Sequence, residues 1–218
     1  MAALLHLDAS ARRASFSREL GEAFATAWRA AHPDGSYVHR DLAATPVPHI
    51  GEAWTELCDH VLAHQITDIG RYKEAVRTPE QEAAWAVVEP LLAELVAADV
   101  VLISAPMYNY SIPSALKAWL DQVTFPRMSL AGRKFVVVGA RGGAYGPGMP
   151  REPYDHHERY LRHFFAGHYR VEGDDAVFLT TELVNSLIDP ALTEHRPEHE
   201  RSRAAALAAA RSLGGGLR

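Results

Sequence analysis

Short apolar runs alternate along this chain with segments whose apolar residues recur at helical spacing. The runs lie at residues 2–8, 36–42, 99–106, 134–139 and 171–180, the last centred on AVFLT. The run DVVLISAP at 99–106 is nearly continuous, which is typical of a strand covered by helices on both faces. Helices are predicted at 16–31, 54–69, 78–97, 114–123, 154–165 and 190–213. This alternation predicts an α/β domain with a doubly wound, five-stranded parallel sheet and helices on both faces.

One of the predicted helix starts is well marked. Thr78 is followed by Pro79 and, three positions after the threonine, by Gln81, which is the pattern of a capping box with a proline in the first turn. No repeat or linker interrupts the alternation, so residues 1–213 are predicted to form a single domain. The glycine-rich residues 214–218 are predicted to be a flexible tail.

Composition narrows the class of protein. The chain has 218 residues, of which 48% are apolar and 22% charged, with a net charge of −5. Its scattered basic residues do not form the stripe expected of a nucleic-acid binder, and no apolar run is long enough for a membrane span. We therefore expect neither a nucleic-acid nor a membrane partner. A single cysteine, Cys58, allows no intrachain disulfide, and the first residues lack a basic segment, so we expect a cytoplasmic protein.

Three serines, Ser10, Ser15 and Ser17, follow the first predicted strand around the start of the first helix. Free amides and the helix dipole favour an anion there, and Arg12 and Arg13 add positive charge, so the loop suits a phosphate monoester. The alternative is that Ser15 or Ser17 simply caps the helix. No G-x-G-x-x-G follows the first strand, which disfavours a dinucleotide bound as in a Rossmann fold.

The loops after the third and fourth strands carry the other candidate residues. Ligands of open parallel sheets bind beyond the carboxyl ends of the strands, where the strand order reverses, and these loops reach that edge. The third-strand loop offers an apolar and aromatic platform for a flat heteroaromatic ring, formed by Pro106, Met107, Tyr108, Asn109 and Tyr110. The fourth-strand loop offers backbone that can approach a ligand closely, at Ala140, Arg141, Gly142 and Gly143.

The blocks APMYNYSIPSALKAWLD and GARGG, the opening serine loop and the TPEQE helix start together resemble the FMN-dependent NADH-azoreductase and quinone-reductase family. The resemblance covers residues 2–48 and 78–180. It implies a flavodoxin-like fold, a homodimer, non-covalent FMN, and transfer of two electrons from NADH or NADPH to a small aromatic acceptor such as a quinone or azo compound.

The resemblance also implies roles for the candidate residues. A phosphate loop is implied at Ser10, Ser15, Phe16 and Ser17. The isoalloxazine ring is implied to lie against Pro106, Met107, Tyr108, Asn109 and Tyr110, with its pyrimidine edge near Ala140, Arg141, Gly142 and Gly143. No catalytic acid–base residue is required, since the flavin supplies the reactive atom.

The chain departs from the family's pattern in three places, all relevant to the acceptor. The connection at 124–131 is short, position 140 is alanine where serine is common, and residues 49–77 look like an insertion or a remodelled segment. Two other hypotheses therefore stay open: a flavin-binding electron carrier or regulator without its own turnover, and a biosynthetic flavoenzyme acting on a polycyclic metabolite.

Twelve histidines raise the question of a metal site. His60 and His64 have helical spacing beside Cys58, but without a third convergent ligand we expect a solvated pair and no metal. Cys58 is expected to be buried or neutral, because no neighbouring residue activates it. Tyr145 and the histidines at 155–168 are candidates to border the acceptor pocket.

Overall fold

A computed structural model describes residues 2–217. Five parallel strands form one sheet in the order β2-β1-β3-β4-β5, which confirms the predicted doubly wound sheet. The strands are β1 (Ala3–Asp8), β2 (Ser36–Asp41), β3 (Val100–Pro106), β4 (Lys134–Ala140) and β5 (Ala176–Thr181). The strand order reverses between β1 and β3, so a crevice is expected at the carboxyl ends of these two strands.

Six α-helices flank the sheet: α1 (Phe16–Ala31), α2 (Glu52–Ala63), α3 (Pro79–Ala97), α4 (Ser114–Val123), α5 (Glu158–Phe164) and α6 (Arg196–Gly216). Helices α1 and α6 cover one face, where Phe24 and Trp28 pack with Ala210. The other four helices cover the opposite face. No helix within residues 2–217 is both long and apolar enough to cross a membrane.

Turn chemistry decides where two helices depart from their predicted ends. Helix α2 ends at Ala63 because Gln65 takes a left-handed backbone conformation (φ 54°), and residues 69–75 form a separate 3₁₀ helix. Helix α5 begins at Glu158 and not at Tyr154, because the Asp155 carboxylate accepts hydrogen bonds from the amides of His157 and Glu158, both at 3.0 Å. The start of α3 is as predicted, with Thr78 Oγ1 accepting from the Gln81 amide at 3.2 Å.

The two segments that depart from the family's pattern pack against each other. In the 49–77 segment, Cys58 and Tyr72 are buried, and burial raises the pKa of the Cys58 thiol to about 12, as expected of an unreactive cysteine. In the 124–131 connection, Phe125 is buried and stacks on Tyr72 with ring centroids 4.8 Å apart. The Trp54 ring lies 5.7 Å from the same phenylalanine, and its indole N–H donates to the Gln122 carbonyl at 3.1 Å. The short connection is therefore core structure.

The end of α6 corrects the predicted end of the last helix, while residue 218 of the predicted tail lies outside the described residues. The helix does not stop at Leu213 but continues through the glycines to Gly216. Gly214 is buried, and a Cβ at that position would stand 2.4 Å from the Phe24 carbonyl oxygen. A glycine is therefore needed here so that α6 can pack closely on α1. The helix continues because this packing compensates for the low helix propensity of glycine.

Two neighbouring substitutions test this packing. Gly214→Ala is expected to destabilise the protein by about 1–3 kcal/mol, because the new methyl group meets backbone that cannot turn away. Gly215→Ala is the matched control, since a Cβ there meets nothing within 4 Å, and it is expected to stabilise by about 0.5–1 kcal/mol through helix propensity. Denaturant unfolding measures both, and equal effects at the two positions would contradict close packing of this end of α6.

Candidate active site

A cavity of about 430 Å³ opens at the carboxyl ends of β1, β3 and β4, which is the crevice that the strand order predicts. Its lining includes all the predicted site residues except Ser17 and Gly143. The predicted residues in the lining are Ser10, Ser15, Phe16, Pro106, Met107, Tyr108, Asn109, Tyr110, Ala140, Arg141 and Gly142. The three loops singled out from the sequence therefore converge on one cavity of a size suited to a small cofactor.

The serine loop presents an uncapped helix start. Ser15 occupies the N-cap position of α1, but its hydroxyl accepts no hydrogen bond from a helix amide. Instead its Oγ lies 3.0 Å from the Oγ of Ser17, which is fully buried. Ser15 therefore occupies the cap position, as the alternative interpretation has it, but its side chain does not satisfy the helix amides. The first amides of α1 are left for an anion, and Ser17 supports Ser15 from beneath instead of lining the cavity.

An arginine on α1 braces this loop from behind. The Arg18 guanidinium donates to the Ser10 carbonyl at 2.8 Å, to Asp41 Oδ1 at 2.8 Å and to Asp8 Oδ2 at 3.1 Å. The bond from Arg18 lowers the pKa of the Asp41 carboxyl to about 2. Asp8 is buried, and its Oδ2 also accepts a hydrogen bond of 2.8 Å from His39 Nε2. This network ties the end of β1, the end of β2 and α1 into one support for Ser10.

The loop after β3 crosses the crevice as a tight turn. Tyr108 and Ser111 exchange two backbone hydrogen bonds of 2.9 Å, and the residues between them, Asn109 and Tyr110, have φ angles of 48° and 67°. A tyrosine in the left-handed region is strained, and the His156 amide holds it by donating to the Tyr110 carbonyl at 3.0 Å. The Tyr108 hydroxyl reaches the serine loop, 3.4 Å from Ser10 Oγ. The turn thus links two walls of the cavity.

The glycines after β4 make room for side chains as well as for a ligand. A Cβ on Gly142 would stand 2.7 Å from the Asn185 amide nitrogen, and one on Gly143 would stand 3.2 Å from Cδ of Arg151. Across residues 2–217, neither glycine's own N–H donates a hydrogen bond to a protein group. Two free amides therefore follow each other in this loop, and the first of them belongs to a residue that lines the cavity, Gly142.

Arg141 contributes to the cavity differently from its glycine neighbours. Its amide is already used, donating to the Thr181 carbonyl at 2.9 Å. Its guanidinium is buried and pairs with Asp155 and Glu158, both at 3.0 Å, and with Glu182 at 3.4 Å. The side chain therefore joins the ends of β4 and β5 to the start of α5. Only the remaining surface of Arg141 faces the cavity.

Several lining residues were not predicted from the sequence. They are Ala14, Arg151, Val184 and Asn185, and the cavity is also bordered by Arg12 and Tyr145. Val184 and Asn185 follow β5, the strand beside β4, so the same sheet-edge argument applied to the fifth strand would have found them. Arg151 belongs to an irregular loop that carries no motif. Of the residues expected to border the acceptor pocket, Tyr145 is part of this lining, and His156, His157, His163 and His168 are not.

The histidines form one compact group that the sequence pattern does not reveal. His60 and His64 stack with ring centroids 3.8 Å apart and gather no third ligand in the described part of the chain. His6 and His39, paired across β1 and β2, instead approach Asp8, with their ligand atoms within 4.8 Å of one another. Because Arg18 already donates to this carboxylate, the group is better suited to bracing the serine loop than to holding a cation.

Comparison with known proteins agrees with this architecture. A protein-family model, which is described as a flavodoxin-like fold, matches residues 2–172. An FMN-dependent NADH:quinone oxidoreductase of Nocardia farcinica is 64% identical over 214 residues, covering 98% of both chains. Among solved structures, azoreductase AzrA superposes with a TM-score of 0.78 at 23% identity, covering 99% of this chain and all of that one.

A further solved structure carries the expected cofactor. It is an FMN-dependent NADH-azoreductase from Bacillus anthracis in complex with FMN, with a TM-score of 0.74, 18% identity and coverage of 97% of this chain and 99% of that one. At this identity the likeness shows a shared fold. The match of the family model to most of the chain and the end-to-end similarity to the Nocardia protein confirm the resemblance found in the sequence. The chain therefore belongs to the flavodoxin-like family, in the group whose relatives are named FMN-dependent NADH:quinone oxidoreductase.

Proposed function

We propose that this protein is an FMN-dependent oxidoreductase that uses the cavity to pass two electrons from NADH to a quinone or a related aromatic acceptor, azo compounds included. The observation that carries the proposal is the uncapped start of α1, where Ser15 and Ser17 hydroxyls pair and leave the helix amides to an anion. The names of the relatives, including the Nocardia protein, support the choice of cofactor, donor and acceptor.

The phosphate end of the cavity fits FMN. Free amides at a helix start bind a phosphate without a counter-charge from the protein, and the hydroxyls of Ser10 and Ser15 add neutral donors. Arg12 lies in the same lining and supplies positive charge. No carboxylate lies in the lining of the cavity formed by the described residues, so a doubly negative phosphate meets no repulsion there.

The other end of the cavity fits a flat ring with carbonyl groups on one edge. Met107 and Tyr108 offer an apolar surface, and the free amide of Gly142, which also lines the cavity, can donate to a carbonyl oxygen. The strained turn at Asn109 and Tyr110 holds that surface in place. When bound, FMN supplies the atoms that accept and release the electrons. The protein's part is to orient the ring, expose one face to donor and acceptor, and stabilise charge with fixed donors.

Purified protein provides the direct test. We expect a yellow preparation that releases FMN on denaturation and oxidises NADH when a simple quinone is present. Yellow protein without turnover would support an electron carrier or regulator instead. A dedicated biosynthetic enzyme would be supported by yellow protein that turns over simple quinones poorly and binds a polycyclic compound tightly. The reason to consider this alternative is that the 49–77 and 124–131 segments depart from the family's pattern.

Substituting Ser15 tests the phosphate end. Ser15→Ala removes one hydroxyl donor to a charged group, which contributes about 1.5–3 kcal/mol, so we expect FMN to bind at least about tenfold more weakly. Titration of FMN fluorescence measures the affinity. Ser212→Ala, at an exposed position of α6, is the control and is expected to bind FMN as the unmodified protein does. Unchanged affinity in Ser15→Ala would contradict a phosphate at this helix start.

The resemblance also supports a homodimer as part of the proposed function. Large apolar side chains stand exposed close to the cavity: Tyr110 is 46% exposed, Met149 43% and Tyr154 54%. A partner subunit covering them would also exclude water from the cavity. Sedimentation is expected to show a dimer, and a monomer with full FMN occupancy would refute it. A buried free thiol at Cys58 fits the reducing cytoplasm that we propose as its compartment.

A further inference from the structure

Arg151 stands at the ring end of the cavity. Its side chain lies across Gly143, where a Cβ would meet Cδ at 3.2 Å and Nη1 at 3.4 Å, and it lines the cavity together with Tyr145. Any side chain at position 143 would push this arginine away. The glycine therefore lets a guanidinium lie against the loop that contributes Gly142, with its free amide, to the cavity.

The charge of Arg151 is not neutralised by the protein. It forms no ion pair with any group in residues 2–217. Asp155 and Glu158, which follow it along the chain, pair with Arg141, as Glu182 does. Glu152, the next residue, accepts the Gly148 amide at 2.7 Å instead. The guanidinium therefore lines a cavity to which the described residues contribute no carboxylate.

Arg12 and Arg151 line the same cavity from two different loops. Arg12 follows Ser10 in the serine loop, and its amide donates to Ser10 Oγ at 3.3 Å. Arg151 lies instead beside the free amides of the glycine loop. Phosphate and ring ends of FMN would thus each meet one cation. The amides of the glycine loop suit the edge of the isoalloxazine ring that carries the carbonyl groups. The opposite edge, a dimethylbenzene, offers no hydrogen-bond acceptor.

We propose that Arg151 raises the reduction potential of FMN in this protein by stabilising the negative charge that two-electron reduction places on the carbonyl-bearing edge of the ring. This inference rests on the proposed function. A cation near that edge favours the reduced over the oxidised cofactor, because only the reduced ring carries the charge. Arg151 is an exposed residue, so solvent screening limits the effect to a moderate one.

The test is the midpoint potential of protein-bound FMN, measured spectroscopically against reference dyes. In Arg151→Gln we expect reduced FMN to lose about tenfold in affinity relative to oxidised FMN, which for a two-electron couple is a fall of about 30 mV. Arg151→Lys keeps the charge and is expected to retain most of the potential. Arg12→Gln is expected to weaken binding of oxidised FMN with little change in potential. Arg159→Gln, an exposed position on α5 outside the cavity lining, is expected to change neither.

Three outcomes would overturn this inference, and they are distinguishable. Bound FMN with the same potential in Arg151→Gln and the unmodified protein overturns the role of Arg151 and leaves the proposed function standing. Failure of the unmodified protein to bind FMN overturns the proposed function, and this inference with it. A potential that falls equally in Arg159→Gln would show a general effect of net charge and would also overturn the specific role of Arg151.

Discussion

Replacing Arg141 with methionine is expected to destabilise the protein by about 3–5 kcal/mol, because removing one partner of a buried ion pair leaves uncompensated charge. The Arg141 guanidinium is buried and is the shared partner of Asp155, Glu158 and Glu182. Asp155 also caps the start of α5. Loss of the arginine therefore releases the ends of β4 and β5 and the start of α5 together. Denaturant unfolding at neutral pH measures the change.

Two further variants separate the loss of the ion pairs from the loss of side-chain packing as the cause of the destabilisation in Arg141→Met. Arg159→Met, at an exposed position of α5, is the control and is expected to change the free energy of unfolding by less than about 0.5 kcal/mol. The double substitution Arg141→Met with Asp155→Asn is expected to recover part of the loss, because it removes the carboxylate that, among the described residues, pairs with Arg141 alone, while the asparagine oxygen can still accept from the amides of His157 and Glu158. A loss of less than about 1 kcal/mol in Arg141→Met would contradict a structural ion cluster at this position.

The fold followed from the sequence because buried parallel strands have a signature that is hard to confuse. In β3 every residue is buried, and the corresponding run DVVLISAP is nearly free of polar positions. Boundaries were less predictable where a single side chain or backbone angle decides them. The Asp155 carboxylate places the start of α5 later than predicted, and the left-handed backbone at Gln65 stops α2 before it. Neither feature changes the spacing of apolar residues in the sequence, so the pattern does not reveal it.

The candidate site was partly predictable for a topological reason. The loops after β1, β3 and β4 meet because the carboxyl ends of parallel strands share one edge, so polar and aromatic residues there were expected to converge. The partners of Arg141 were not predictable, because they come from three different elements. The position of Arg151 was likewise hidden, since it depends on the path of an irregular loop and on the small size of Gly143.

Two buried histidines carry a further consequence for stability. His6 lies under α1, with its ring nitrogens 2.9 Å from the Tyr37 hydroxyl and 2.8 Å from Ser104 Oγ. Burial lowers the pKa of His6 to about 4, an effect that Asp8 partly opposes and that Arg18 adds to. Burial, followed by the charge of Arg141, likewise lowers the pKa of His157 to about 4. Both residues are therefore neutral in the folded protein at pH values where free histidine is already protonated.

We expect the stability of the protein to fall steeply as the pH is lowered from about 6.5 to about 4. Below pH 6.5 the unfolded chain binds protons at His6 and His157 that the folded chain does not, so protonation favours the unfolded state and lowers the free energy of unfolding. Above pH 6.5 both histidines are neutral in both states, and neither contributes to the pH dependence. A pKa lowered from 6.5 to about 4 corresponds to about 3 kcal/mol for each histidine by pH 4. The Asp41 carboxyl stabilises the folded protein above its unfolded pKa, and this contribution is lost only as the pH falls toward its folded pKa of about 2. The loss of stability from the two histidines therefore occurs at higher pH than the loss from Asp41.

Unfolding free energies measured between pH 7.5 and pH 4.5 test this expectation, and His157 offers the cleaner substitution. Within residues 2–217 neither ring nitrogen of His157 makes a well-formed hydrogen bond, and the Ala105 carbonyl is its one weak partner, so His157→Met removes a buried polar group that gains little from its surroundings, and stability at pH 7.5 is expected to change little. The acid-induced loss is expected to fall by about half, because only His6 still resists protonation in the folded state. His163→Gln, at an exposed position of α5, is expected to keep the full pH dependence. Retention of the full dependence in His157→Met would mean that the folded protein protonates this histidine as readily as the unfolded chain does.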